Sequence, residues 1–180
     1  SEFGYIGHHS HTNEYLIDMS DEKFIDDIET ATKIFKNKLG YSPSIFSYPF
    51  GEYSLFMKKY ISENFEIAFG QHSGIIDINK DKFELPRFPI NEKYGELKRF
   101  KSIIDYNPLE YKTLKPEEKK LNSKTNPPKL IVEFFKDQKN IQNINCYSND
   151  GGNWKKSNLK FESNVMIVNL EKPFVPRRGR

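Results

Sequence analysis

Apolar residues recur at helical spacing through Phe24, Ile28, Ala31, Phe35 and Leu39, with mostly polar residues between them. The spacing predicts an amphipathic helix. Ser20 is its expected N-cap, Asp21 and Glu22 sit in a first turn where the helix dipole favours anions, and Gly40 fits the C′ position. Ahead of it, Tyr5-Ile6-Gly7 reads as the end of a short strand. Behind it, Ser44 to Tyr48 reads as a strand stopped by Pro49 and Gly51. Ser54 is placed to cap a second helix through Asn64, Phe65 to Phe69 reads as a buried strand, and Asn91 is the expected cap of a third helix, Glu92 to Ile104. Strands alternating with helices of this length imply βαβ units and a parallel sheet.

That rhythm stops after residue 104. Asn107-Pro108, Lys115-Pro116 and Asn126-Pro127-Pro128 punctuate a charged stretch, so residues 105–129 read as a linker or crossing segment. From residue 130 to 180 only strand signals follow: Leu130 to Phe135, a run through Ile141, Ile144, Cys146 and Tyr147, a turn at Asp150-Gly151-Gly152-Asn153, and Val165 to Leu170. The expected organisation is an α/β domain over residues 1–104 and a small all-β, sandwich-like module over 130–180.

Composition narrows the classes. Among 180 residues, 15 Phe and 10 Tyr supply enough apolar surface for a core, so wholesale disorder is excluded. A net charge of +3 is too mild to argue for nucleic acid, which asks for a concentrated basic face. The single cysteine, Cys146, rules out an internal disulfide framework and a Cys-rich zinc site; it sits in an expected strand as a buried, inert thiol. No apolar run approaches the roughly 18 residues of a membrane span. No signal peptide is visible in the residues given, because Ser1-Glu2-Phe3 reads straight into folded-looking sequence. The lack of an initiating Met, and an ending at Pro173–Arg180 with no closing element, point to a segment cut at both ends.

Three of the four histidines, His8, His9 and His11, fall within Gly7-His8-His9-Ser10-His11-Thr12-Asn13, between a strand signal and a helix signal. Active sites of α/β folds sit on such loops at the carboxyl ends of strands, and imidazole is a favoured ligand for zinc and similar cations. The cluster therefore points to metal-assisted or acid–base chemistry. Phosphate-loop, dinucleotide, His-Glu-x-x-His and G-x-S-x-G patterns are all missing from the chain.

Ile6-Gly7-His8-His9-Ser10-His11-Thr12-Asn13 resembles the H-[ST]-x-x-H metal motif of the NodB-homology polysaccharide deacetylases, carbohydrate esterase family 4. Phe46-Ser47-Tyr48-Pro49-Phe50-Gly51-Glu52-Tyr53 resembles the family's R-x-P-[YF]-G segment, in the form associated with its poly-N-acetylglucosamine branch. Leu85-Pro86-Arg87-Phe88-Pro89 is similar to a segment of the same branch. The resemblance covers about residues 3–104. It implies part of a distorted (β/α) barrel that removes N-acetyl groups from a polysaccharide, at a divalent metal, most simply zinc, held by one Asp and two His. It also implies a secreted, periplasmic or cell-surface setting.

Carried onto this chain, the resemblance makes His9 the first metal histidine and Asn13 the residue at the second, with His11 as a substitute. It makes the Phe50 amide the oxyanion donor, with Pro49 fixing the backbone before it and Gly51 permitting an unusual dihedral after it. It offers Arg87 as the residue that orients the base and His72, after the Phe65 to Phe69 strand, as a general acid. Tyr48 and Phe88 are either sugar-stacking or core aromatics. The departures are Asn13 for histidine, Ser47 for the family's arginine, no L-x-H context around His72, and no aspartate pair, which the family places upstream of the histidine motif. Asp18, Asp21, Asp26 and Asp27 lie downstream and do not fit that pair. Asn13 motivates a second reading, a non-catalytic carbohydrate-binding or interaction protein on a deacetylase-like scaffold.

Overall fold

A computed structural model of the chain describes residues 4–176, in two compact units that divide between Pro108 and Leu109. In the first unit, α1 (Asp21–Leu39) begins where expected: Ser20 is extended and its side chain accepts from the Lys23 amide. It ends at Gly40, whose φ of 77° is the left-handed geometry that glycine adopts without penalty. The buried stripe of α1 is Phe24, Asp27, Ile28 and Ala31. Strand β1 (Ile45–Ser47) follows, then α2 (Leu55–Asn64), capped by the Ser54 hydroxyl 3.2 Å from the Met57 amide, then β2 (Ile67–Phe69).

β1 and β2 pair in parallel, Ile45 opposite Ile67 and Ser47 opposite Phe69. Single parallel bridges extend the ladder outward, His8 to Phe46 on one side and Leu85 to Phe69 on the other. Four chain segments thus run side by side in the order His8, β1, β2, Leu85. The Tyr5–Gly7 stretch makes no regular strand; only the His8 bridge remains of it. The ladder packs on α1 and α2 through Phe24, Ile28, Phe46, Tyr48, Met57, Ile61, Phe65 and Ala68. Each large apolar side chain buried there contributes about 1.5–3 kcal/mol. No barrel closes among the described residues.

The third helix is shorter than its pattern predicts. α3 runs Leu97–Ile104, with Glu96 at its N-terminus offering no side-chain cap. Asn91 instead folds its side chain into a turn, Oδ1 accepting from the Tyr94 amide at 3.1 Å. This local bond competes with helix initiation, and Gly95 follows it.

The second unit contains strands and one 3-10 turn among its described residues. β3 (Thr113–Lys115), β4 (Lys129–Glu133), β7 (Asn158–Glu162) and β8 (Val165–Asn169) form an antiparallel sheet ordered β3-β4-β8-β7, and β5 (Tyr147–Ser148) pairs with β6 (Lys155–Lys156) as a separate hairpin. Alternation along β8 buries Met166 and Val168, which pack with Val132, Phe134 and Ile141. β3 lies inside the stretch expected to link the two parts, because Leu114 packs against this core while its neighbours Thr113 and Lys115 stay exposed. Cys146 stands just ahead of β5 rather than within a strand, and is half-buried against the same core. Among the described residues no helix is long and apolar enough to cross a membrane.

Candidate active site

The parallel order sets four loops at one edge. His9 follows the His8 bridge, Tyr48 to Gly51 follow β1, Gly70 to His72 follow β2, and Pro86-Arg87 follow the Leu85 bridge. This is the carboxyl edge where α/β folds place chemistry.

The histidine cluster divides into residues with different work. His8 is 1% exposed, surrounded by Phe35, Phe46 and Phe65. Its Nδ1 accepts from the Ser10 amide at 3.1 Å, so Nε2 carries the proton and donates to Ile28 O at 3.2 Å. Burial holds its pKa below the ordinary imidazole range. His9, one residue on, is exposed, and its Nδ1–H donates to Ser47 O at 2.8 Å. That bond fixes the tautomer and leaves the Nε2 lone pair free to ligate. His11 is exposed and is tied through its backbone, whose amide donates to Asp27 Oδ1 at 2.8 Å.

Asn13 is exposed, with a φ of 55°. Asparagine tolerates this left-handed geometry better than most residues, which gives the amide residue a local reason to stand there. Its N–H donates to Ser10 Oγ at 3.0 Å, and Ser10 is itself left-handed at φ 66°. Among the described residues no three His, Cys, Asp or Glu side chains converge on one point. The donor set for a cation is therefore partial: the His9 imidazole fits the role by tautomer and exposure, and the Asn13 amide is a neutral, weaker oxygen donor.

The turn after β1 is built on two successive left-handed residues, Phe50 at φ 57° and Gly51 at φ 70°. The Gly51 amide donates to Tyr48 O at 2.9 Å and the Glu52 amide to Pro49 O at 3.2 Å. Among the hydrogen bonds of the described residues, none uses the Phe50 N–H between them. A Cβ on Gly51 would stand 2.6 Å from the backbone nitrogen of Gln71, so the turns after β1 and β2 touch there and only glycine fits. The Phe50 ring, 41% exposed, stacks on Tyr15 with centroids 4.0 Å apart. Glu52 is half-buried, and burial raises its carboxyl pKa.

Arg87 is anchored twice to the turn after β2: its amide donates to His72 O at 3.0 Å and its Nε to Gly70 O at 2.9 Å. No ion pair of Arg87 with a carboxylate occurs among the described residues. His72 is exposed, and a Cβ on Gly70 would lie 2.8 Å from its Nδ1, so the ring folds back over Gly70. Ser47 has a buried hydroxyl without a hydrogen-bond partner among the described residues. Tyr48 is fully buried and belongs to the core, and burial raises its hydroxyl pKa. Phe88 is half-buried, with the Arg99 guanidinium 5.8 Å from its ring centre.

Two residues at this edge escape a reading by motif. Tyr15 lies 35 positions from the ring it stacks on. Asp27 leaves a trace in the sequence: it is an acid on the apolar stripe of α1.

Residues 4–64 match the family model for polysaccharide deacetylase, and so cover the histidine loop, α1, the β1 turn and α2. No curated protein and no solved structure matches the chain.

Proposed function

We propose that the first unit acts in the hydrolytic removal of N-acetyl groups from a polysaccharide, with a divalent cation, zinc being the simplest choice. The observation that carries this reading is the His9 ring, held by Ser47 in the tautomer that offers Nε2 outward, inside the segment that matches the polysaccharide deacetylase model. The closeness of the β1 turn to the poly-N-acetylglucosamine branch makes that polymer the preferred substrate. Such polymers are met outside the cytoplasm, so we place the protein as secreted, periplasmic or at the cell surface.

His9 Nε2 and the Asn13 side-chain oxygen would hold the cation, with the carboxylate that the resemblance places upstream of the motif. His11 stands near as an alternative donor. Bound there, such an ion polarises an acyl oxygen and lowers the pKa of water. The chain's own residues do the rest. The Phe50 N–H, unspent within its turn, is available to a developing oxyanion. The left-handed pair Phe50-Gly51 and the Gln71 backbone behind it keep that amide from rotating away. Arg87, pinned to Gly70 and His72, offers its remaining guanidinium N–H groups to a base or to the substrate. His72, at the carboxyl end of β2, serves as the proton donor to the leaving amine.

Incubating the protein at its full natural length with N-acetylglucosamine oligomers and zinc should release acetate. Acetate release that survives His9→Ala unchanged would rule the reading out. Asn13 favours one alternative, a glycan-binding scaffold without turnover. Retention on the same oligomers with no acetate released, with or without zinc, selects it.

A further inference from the structure

The loop that carries the proposed ligands is held in an unusual way. Its four consecutive amides, Ser10 to Asn13, are each received by a side chain. Ser10 donates to His8 Nδ1 at 3.1 Å, His11 to Asp27 Oδ1 at 2.8 Å, Thr12 to Asp27 Oδ2 at 3.0 Å, and Asn13 to Ser10 Oγ at 3.0 Å. The Thr12 hydroxyl adds a third bond to Asp27, 2.7 Å to Oδ2. Asp27 is 6% exposed and projects from the buried stripe of α1, one residue before the Ile28 carbonyl that receives the His8 ring.

We propose that Asp27 is a positioning residue. Its carboxylate fixes the His9–Asn13 loop so that the His9 ring keeps its bond to Ser47 and its Nε2 faces outward. The proposal deepens the metal-dependent reading and rests on it for its functional meaning. The loop needs such a hold because it contains two left-handed residues, Ser10 and Asn13, and serine, unlike asparagine, rarely adopts that geometry. A carboxylate suits the task because it offers two acceptor oxygens and no donor, against three donors. With both oxygens taken up by the loop, Asp27 acts through the backbone of His11 and Thr12 rather than on a ligand directly.

Asp27→Asn tests this with little change of shape. One oxygen becomes an NH2 group facing an N–H donor, so at least one of the two amide bonds must break. Amide exchange at His11 and Thr12 should accelerate about ten-fold or more. The nitrogen spectrum of neutral His9 should move from the Nδ1–H form toward the Nε2–H form that a free histidine favours. Ala31→Gly, which weakens α1 without touching the loop, should leave the His9 tautomer as it is. Thr12→Val, on an exposed residue, removes only the hydroxyl bond and should give the same change at smaller size, which decides the matter if Asp27→Asn does not fold. An unchanged tautomer in both loop variants, or an equal change in Ala31→Gly, overturns the proposal. Zinc affinity separates the two claims: a parent protein that binds no zinc removes the metal reading, while the tautomer comparison still decides Asp27.

Discussion

The Nδ1–H of His9 donates to the carbonyl oxygen of Ser47 across 2.8 Å, which joins the histidine loop to the end of β1. The neighbouring His8 is in the opposite tautomer, Nδ1 bare toward Ser10 and Nε2–H toward Ile28. Two adjacent imidazoles therefore do opposite things. One is a buried spacer between the sheet and α1; the other presents a free nitrogen at the sheet's carboxyl edge.

Gly51→Ala should damage the β1 turn. The added methyl meets the Gln71 backbone at 2.6 Å, and the φ of 70° is unfavourable for alanine. The expected loss is about 1–3 kcal/mol of stability, read as a lower denaturant midpoint. Acetate release should fall with it, because the Phe50 amide moves with the turn.

Tyr15→Ala tests the β1 turn and the histidine loop separately. The Tyr15–Phe50 stack, at 4.0 Å and 19° between planes, is half in solvent, so its loss should cost only about 0.5–1.5 kcal/mol. With Phe50 released from its partner, kcat should drop while zinc affinity stays at the parent value. An equal fall in zinc affinity would mean that Tyr15 supports the histidine loop instead.

His8 makes stability depend on pH with a definite sign. Burial lowers its pKa in the folded state, so between that lowered value and about 6.5 the unfolded chain binds more protons than the folded one. Stability from this group rises with pH across that window and is fully present above it. Protonation at Nδ1 would also remove the acceptor for the Ser10 amide. A proton-detected titration should find His8 still neutral just below the ordinary imidazole range, and the denaturant midpoint should climb as the pH rises toward about 6.5 and then level off as far as this group is concerned. A His8 ring that titrates like a free imidazole contradicts the assigned burial.

The helix limits were legible wherever a cap spoke for them. Ser20, Gly40 and Ser54 each sit where the spacing puts them, because capping is a local bond between near neighbours in sequence. α3 departs from its pattern for a local reason too, since the Asn91 side chain closes a turn where helix was expected. The split between His8 and His9 follows from the alternation of an extended segment, one side chain inward and the next outward. Periodicity of α1 marks Asp27 as an acid among apolar residues, yet what it holds depends on a loop 15 residues away. The Tyr15–Phe50 stack and the Gly51–Gln71 contact join segments with no shared pattern, so they exist only once the chain is folded.

Zinc titration by calorimetry, on the protein at its full natural length, asks whether the His9 ring ligates a cation. One ion should bind, with an affinity weakened about ten-fold or more by His9→Ala and strengthened by Asn13→His. Zinc affinity left unchanged by His9→Ala would mean that His9 is no ligand.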